Sequence, residues 1–104
     1  MTIAHIILLK VKSDQSENAE KALKAIAELK ERLPGLVKSV HLGINFSDRS
    51  QGFTHGFTML FDDMAALEKY SKSPEHVEVV NSLILPTFDN RLCVDYEVAD
   101  YSSL

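Results

Sequence analysis

The opening run Ile3-Ala4-His5-Ile6-Ile7-Leu8-Leu9-Lys10-Val11-Lys12 is apolar at odd and even positions alike. It is β-rich and short for a helix, and side chains alternate between the two faces of a strand. Ile3, Ile7, Leu9 and Val11 therefore share one face with His5, while Ala4, Ile6 and Leu8 share the other. A strand apolar on both faces must be covered on both. Every fold open to this chain has to supply two covering layers, and His5 is expected to point into one of them. With 104 residues there is room for one core. The reading is a single domain over 1–104, with its core at about 3–98 and a polar tail at 99–104.

One cover is a helix. Apolar residues recur at Ala19, Ala22, Leu23, Ile26, Leu29 and Leu33, the spacing of an amphipathic helix. Asp14 followed by Glu17 offers a capping box at its start, and Pro34-Gly35 ends it. A second strand is expected over Val37 to Phe46, a polar loop over 45–52, and a third strand over Phe53 to Phe61. In the third, Phe53, His55, Phe57, Met59 and Phe61 share a face. A short helix capped by Asp62 or Asp63 runs through Tyr70 and breaks near Ser73-Pro74, where another begins towards Pro86. The last strand is Arg91 to Val98. Strand, helix, strand, strand, helix pair, strand is the order of a ferredoxin-like four-stranded antiparallel sheet with helices on one face. The other face stays apolar, so the missing cover is expected to be a second copy of the chain.

Composition narrows the function. No apolar run approaches the about 18 residues of a membrane span. Fifteen acidic against eleven basic side chains give a net charge of −4, against the pattern of a nucleic-acid binder. The N-terminus does not read as a signal peptide, and one cysteine, Cys93, cannot close an intrachain disulfide, so the expected compartment is cytoplasmic. Cys93, inside the last strand, reads as an inert buried thiol. No GxGxxG or P-loop is present, and the expected cofactor and metal are none.

Gly52-Phe53-Thr54-His55-Gly56-Phe57, preceded by Gly43-Ile44-Asn45-Phe46-Ser47, resembles the stress-responsive dimeric A/B barrel domain family. So do the opening strand, Leu67-Glu68-Lys69-Tyr70, Ser73-Pro74-Glu75-His76 and Val94-Asp95-Tyr96, in register over roughly residues 3–98. The resemblance implies a protomer whose sheet packs on a partner's to form a dimeric α/β barrel. One branch of the family, the polyketide cyclases of the olivetolic acid cyclase type, closes rings by aldol chemistry without a cofactor. That branch implies a catalytic Tyr–His pair at Tyr70 and His76, with His5, His55 and Asp95 nearby. Its tunnel-lining aromatics are not matched, since the first helix has Ile26 and alanines instead, so the substrate is not carried over. Without a Trp the chain also lacks the Asn–Trp–His set of the haem-degrading members of this architecture.

The chemistry of these residues agrees with such a role. Ser73 suits an N-cap and Pro74 the first helical position, which puts His76 in a first turn. The helix dipole there disfavours imidazolium and leaves a neutral base. Tyr70 is placed to donate to a developing enolate oxygen, and Asp95 to fix a histidine tautomer. Each residue also has a plain reading: His76 at the surface, Tyr70 in the core with a wet hydroxyl, His5 and His55 as satisfied core histidines. His5, His55, His76 and Asp95 have metal-ligand chemistry but no close ligand spacing. Two functions follow: a cofactor-independent lyase or cyclase acting on a hydrophobic carbonyl, or a non-catalytic stress-related or small-ligand-binding homodimer.

Overall fold

The computed structural model describes residues 1–102. Strand β1, Ile3–Val11, lies inside the sheet and is paired on both edges, with β3 and with β4. Helix α1 follows over Ser16–Arg32, then β2 over Val37–Ile44 and β3 over His55–Phe61. Helix α2, Met64–Lys72, and helix α3, Pro74–Val79, are separated by Ser73. A π turn at Val80–Ile84 and a last short turn α4, Leu85–Thr87, lead into β4, Phe88–Glu97. All pairings are antiparallel, in the order β2-β3-β1-β4. This is the ferredoxin-like sheet with its helices on one face.

The core forms where α1 meets the odd-numbered face of β1 and β3. Ala19, Ala22, Leu23, Ile26 and Leu29 of α1 are buried together with Ile3, Leu9, Phe57, Met59 and Phe61. Burying each large side chain of this set contributes roughly 1.5–3 kcal/mol, which outweighs the weak helix propensity of Ile26. The helix ends at Leu33, whose N–H bonds the Leu29 carbonyl, and Gly35 turns the chain at φ +82°.

Several boundaries differ from expectation. The capping box at Asp14 does not form: Gln15 is the cap, with no side-chain bond to the helix, and its amide oxygen accepts from Asn18 Nδ2 at 2.7 Å. Strand β4 begins three residues early, because Phe88 is buried and pairs with Val11 across a bulge between Lys10 and Val11. The polar tail is described only as far as Ser102; residues 103 and 104 lie outside the described residues.

The face away from the helices is uncovered. Ile6 and Leu8 lie there beside Leu92, Val94 and Tyr96, which are 46%, 44% and 50% exposed. A contiguous apolar sheet face of this kind marks an association surface. Among the described residues no helix is long and apolar enough to cross a membrane.

Candidate functional site

The register of β1 on β4 sets His5 directly opposite Asp95. The two side chains meet: His5 Nδ1 lies 2.5 Å from Asp95 Oδ1. A carboxylate accepts, so the Nδ1–H donates and Nε2 of His5 is the basic nitrogen of the neutral ring. The His5 ring is buried and meets Phe57, Phe61 and Tyr70 edge-on, with centroids 6.2, 6.1 and 6.3 Å away.

Tyr70 and His76 are brought together by the break between α2 and α3. Ser73 makes that break in two ways: its hydroxyl donates to the Tyr70 carbonyl at 2.7 Å and accepts from the His76 N–H at 3.2 Å. Pro74 then starts α3 at the position where a missing N–H costs nothing. The Tyr70 and His76 rings are tilted against each other with centroids 4.6 Å apart. His76 Nδ1 is 3.0 Å from the Ser71 carbonyl, which only accepts, so Nδ1 carries the proton and Nε2 is left basic. Burial lowers the His76 pKa, helped by the Arg91 charge and by any positive charge on His5, and partly opposed by the bond to Ser71. Desolvation is thus the main cause, where the sequence pointed to the helix dipole; α3 has only six residues.

Tyr70 is fully buried, and its hydroxyl has no hydrogen-bond partner among the described residues. The hydroxyl is buried rather than solvent-facing. Burial raises its pKa far above the usual tyrosine range, so it is a donor and never a phenolate at neutral pH. A cavity of about 200 Å³ between sheet and helices is lined by His5, Ile7, Ile26, Phe57, His76 and Arg91, together with Ser71 and further aliphatic side chains. Tyr70 stands one layer behind this lining, against the ring of His76.

His55 does not join the group. It shares the face of His5 but pairs opposite Leu9, while His5 pairs opposite Met59. Four residues of strand, at about 3.3 Å each, separate the two positions. His55 instead lines a groove with Leu23, Val40 and Ile44, packs its ring on Phe88 at 5.8 Å, and lies 2.8 Å from the Thr54 hydroxyl. Burial lowers its pKa as well.

Two residues at the site escaped the sequence reading. Arg91 lines the cavity and forms no ion pair among the described residues. Cys93 is exposed rather than buried, with Sγ 3.5 Å from Asp95 Oδ2 and 3.7 Å from His5 Nδ1. Local desolvation and the Asp95 carboxylate push its thiol up to about 11, so it remains a protonated, unreactive thiol at neutral pH. The signal was available: strand alternation puts Arg91, Cys93 and Asp95 on one face and Leu92, Val94 and Tyr96 on the other.

Fold and site together define a ferredoxin-like α+β protein with a half-enclosed, mainly apolar cavity between sheet and helices. Residues 3–98 match the stress responsive A/B barrel domain, and the chain belongs to that family. A crystal structure of an Arabidopsis thaliana protein is similar at 31% identity, covering 94% of this chain and 96% of that one, with a TM-score of 0.85. A dimeric ferredoxin-like protein of unknown function from Jannaschia is similar at 26% identity over 94% and 100% of the two chains, with a TM-score of 0.80. Hydroxynitrile lyase from Passiflora edulis shares the fold at 20% identity over 95% and 94%, with a TM-score of 0.86. No curated protein matches the sequence.

Proposed function

We propose that this chain is a cofactor-independent lyase or cyclase, acting as a homodimer, that takes a proton from the carbon beside a carbonyl, or from a hydroxyl group, in a small hydrophobic substrate. The observation that carries this reading is the neutral His76, which lines the cavity with Nδ1 tied to Ser71 and Nε2 left basic, and which packs on the ring of Tyr70, whose hydroxyl has no partner among the described residues. A base of lowered pKa stays unprotonated at neutral pH, and a buried donor without a partner gains most when an oxyanion forms within its reach. His5, held by Asp95, is a positioning residue on the sheet side of the cavity. His55, in its separate groove, takes no part.

At about 200 Å³ the cavity lies under the roughly 300 Å³ at which drug-sized pockets begin, which favours a substrate smaller than an extended polyketide. The unpaired Arg91 favours one that carries an anionic group. The Passiflora enzyme, though similar only in fold, supports including α-hydroxynitriles among the compounds tried. The test is a panel of small aromatic and aliphatic aldehydes, β-keto acids and α-hydroxynitriles, assayed with the wild type, His76→Ala and Tyr70→Phe. Turnover by the wild type that both variants lose, with neither melting temperature lowered by more than a few degrees, supports the reading. Equal turnover in the variants refutes it.

The non-catalytic reading, a stress-related or ligand-binding homodimer, draws on a different observation. His5 is already satisfied by Asp95 and enclosed by three aromatic edges, as a structural histidine would be. It expects binding of small apolar acids without any chemical change.

A further inference from the structure

We propose that His5, Cys93 and Asp95 form a binding site for one zinc-like divalent transition-metal ion per chain. The three donors come from one rung of the β1–β4 pairing and the next same-face position of β4, so the sheet itself holds them in place. They offer an imidazole nitrogen, a sulfur and a carboxylate oxygen, all within 4.8 Å of one another. That mixed set suits zinc and its neighbours in the first transition row, and suits calcium or magnesium poorly.

The distances carry the argument. Tetrahedral zinc with bonds of about 2.3 Å to sulfur and about 2.0–2.1 Å to nitrogen and oxygen sets the S···N and S···O edges at roughly 3.6 Å and the N···O edge at roughly 3.3 Å. The sulfur already stands 3.7 Å from His5 Nδ1 and 3.5 Å from Asp95 Oδ2. The short N···O distance, 2.5 Å with a proton between the atoms, runs to the other carboxylate oxygen, Oδ1, so coordination through one oxygen also asks the carboxylate to turn. Replacing that proton by the metal asks for an opening of about 0.8 Å, and the half-exposed Asp95 carboxylate is free to supply it. Binding expels the Cys93 thiol proton to solvent. The His5 proton moves from Nδ1 to Nε2, so one proton is released per metal and no electron changes hands. Three protein donors leave the fourth position open to water or an exogenous ligand.

The inference does not rest on the catalytic reading, because its readout is spectroscopic. The reduced full chain, at pH 7.5 and without oxygen, is titrated with cobalt(II) chloride. Saturation is expected at one cobalt per chain, with a near-ultraviolet thiolate-to-cobalt band and visible tetrahedral bands that zinc chloride abolishes. Cys93 is the only cysteine, so the thiolate band has a single source. Cys93→Ser, at an exposed position, is expected to keep its fold and lose that band, and Asp95→Asn to weaken cobalt binding at least tenfold. Absence of a thiolate band in the wild type, saturation at one cobalt per two chains, or equal cobalt affinity in Cys93→Ser overturns the proposal.

Discussion

Removing the hydroxyl of Tyr70 separates a group kept for packing from one kept for chemistry. The ring is fully buried and touches Phe61 and His76, with centroids 5.2 and 4.6 Å away, and Tyr70→Phe keeps every one of those contacts. What it deletes is a buried hydroxyl without a partner. An unsatisfied buried donor costs about 1–3 kcal/mol, so its removal is expected to stabilise the fold. At the low end, 1 kcal/mol corresponds to a rise of about 4 °C in melting temperature for a domain near 100 residues. The assay is thermal unfolding by circular dichroism at one fixed protein concentration, since any association shifts the midpoint. A rise of about 4 °C together with loss of turnover would mark Tyr70 as a group held at the expense of stability. A fall of several degrees would refute the reasoning, because it would show that the hydroxyl has a structural partner.

Ser73→Ala removes the cap that receives the His76 N–H and the bond to the Tyr70 carbonyl, and is expected to cost about 1–2 kcal/mol, read as a lower urea midpoint. His55 and His76 both have pKa values lowered from 6.5, so the unfolded chain takes up protons that the native chain refuses. Their effect is absent above pH about 6.5, and stability falls as the pH drops from there through the lowered native values. The His55→Gln/His76→Gln double variant should lose less stability than the wild type between pH 7.5 and 5.5, and equal losses would contradict this. The open sheet face predicts that the wild type sediments as a dimer at low micromolar concentration and that Val94→Asp yields monomer or fails to fold. A folded wild-type monomer would contradict the dimer.

The fold was legible because its strongest constraint is local. An opening strand apolar at both parities needs a cover on each face, and β1, one of the two interior strands, has the helices on one face and the open apolar face on the other. The boundaries that slipped are those where tertiary contacts overrule composition. Asp89 and Asn90 are poor strand formers, yet they sit in β4 because Phe88 anchors the strand against Val11. The π turn over Val80–Ile84 had no sequence signature, since Val80, Leu83 and Ile84 keep ordinary helical spacing and the extra residue per turn shows only once the helix packs.

The site was legible in residue type and illegible in distance. Alternation assigns a residue to a face, but it cannot say which rung of the ladder stands opposite which. Hence His5, His55 and Asp95 are equivalent in the sequence, each a strand residue expected near Tyr70 and His76. The register then pairs His5 with Asp95 and carries His55 four residues away, into a groove of its own. The same register turns Cys93 from an isolated thiol into a neighbour of both His5 and Asp95. A one-residue slip of β4 would move Arg91, Cys93 and Asp95 together onto the open face and bring Leu92, Val94 and Tyr96 inward. The apolar face that demands a partner and the polar face that lines the cavity are therefore fixed by one choice of register.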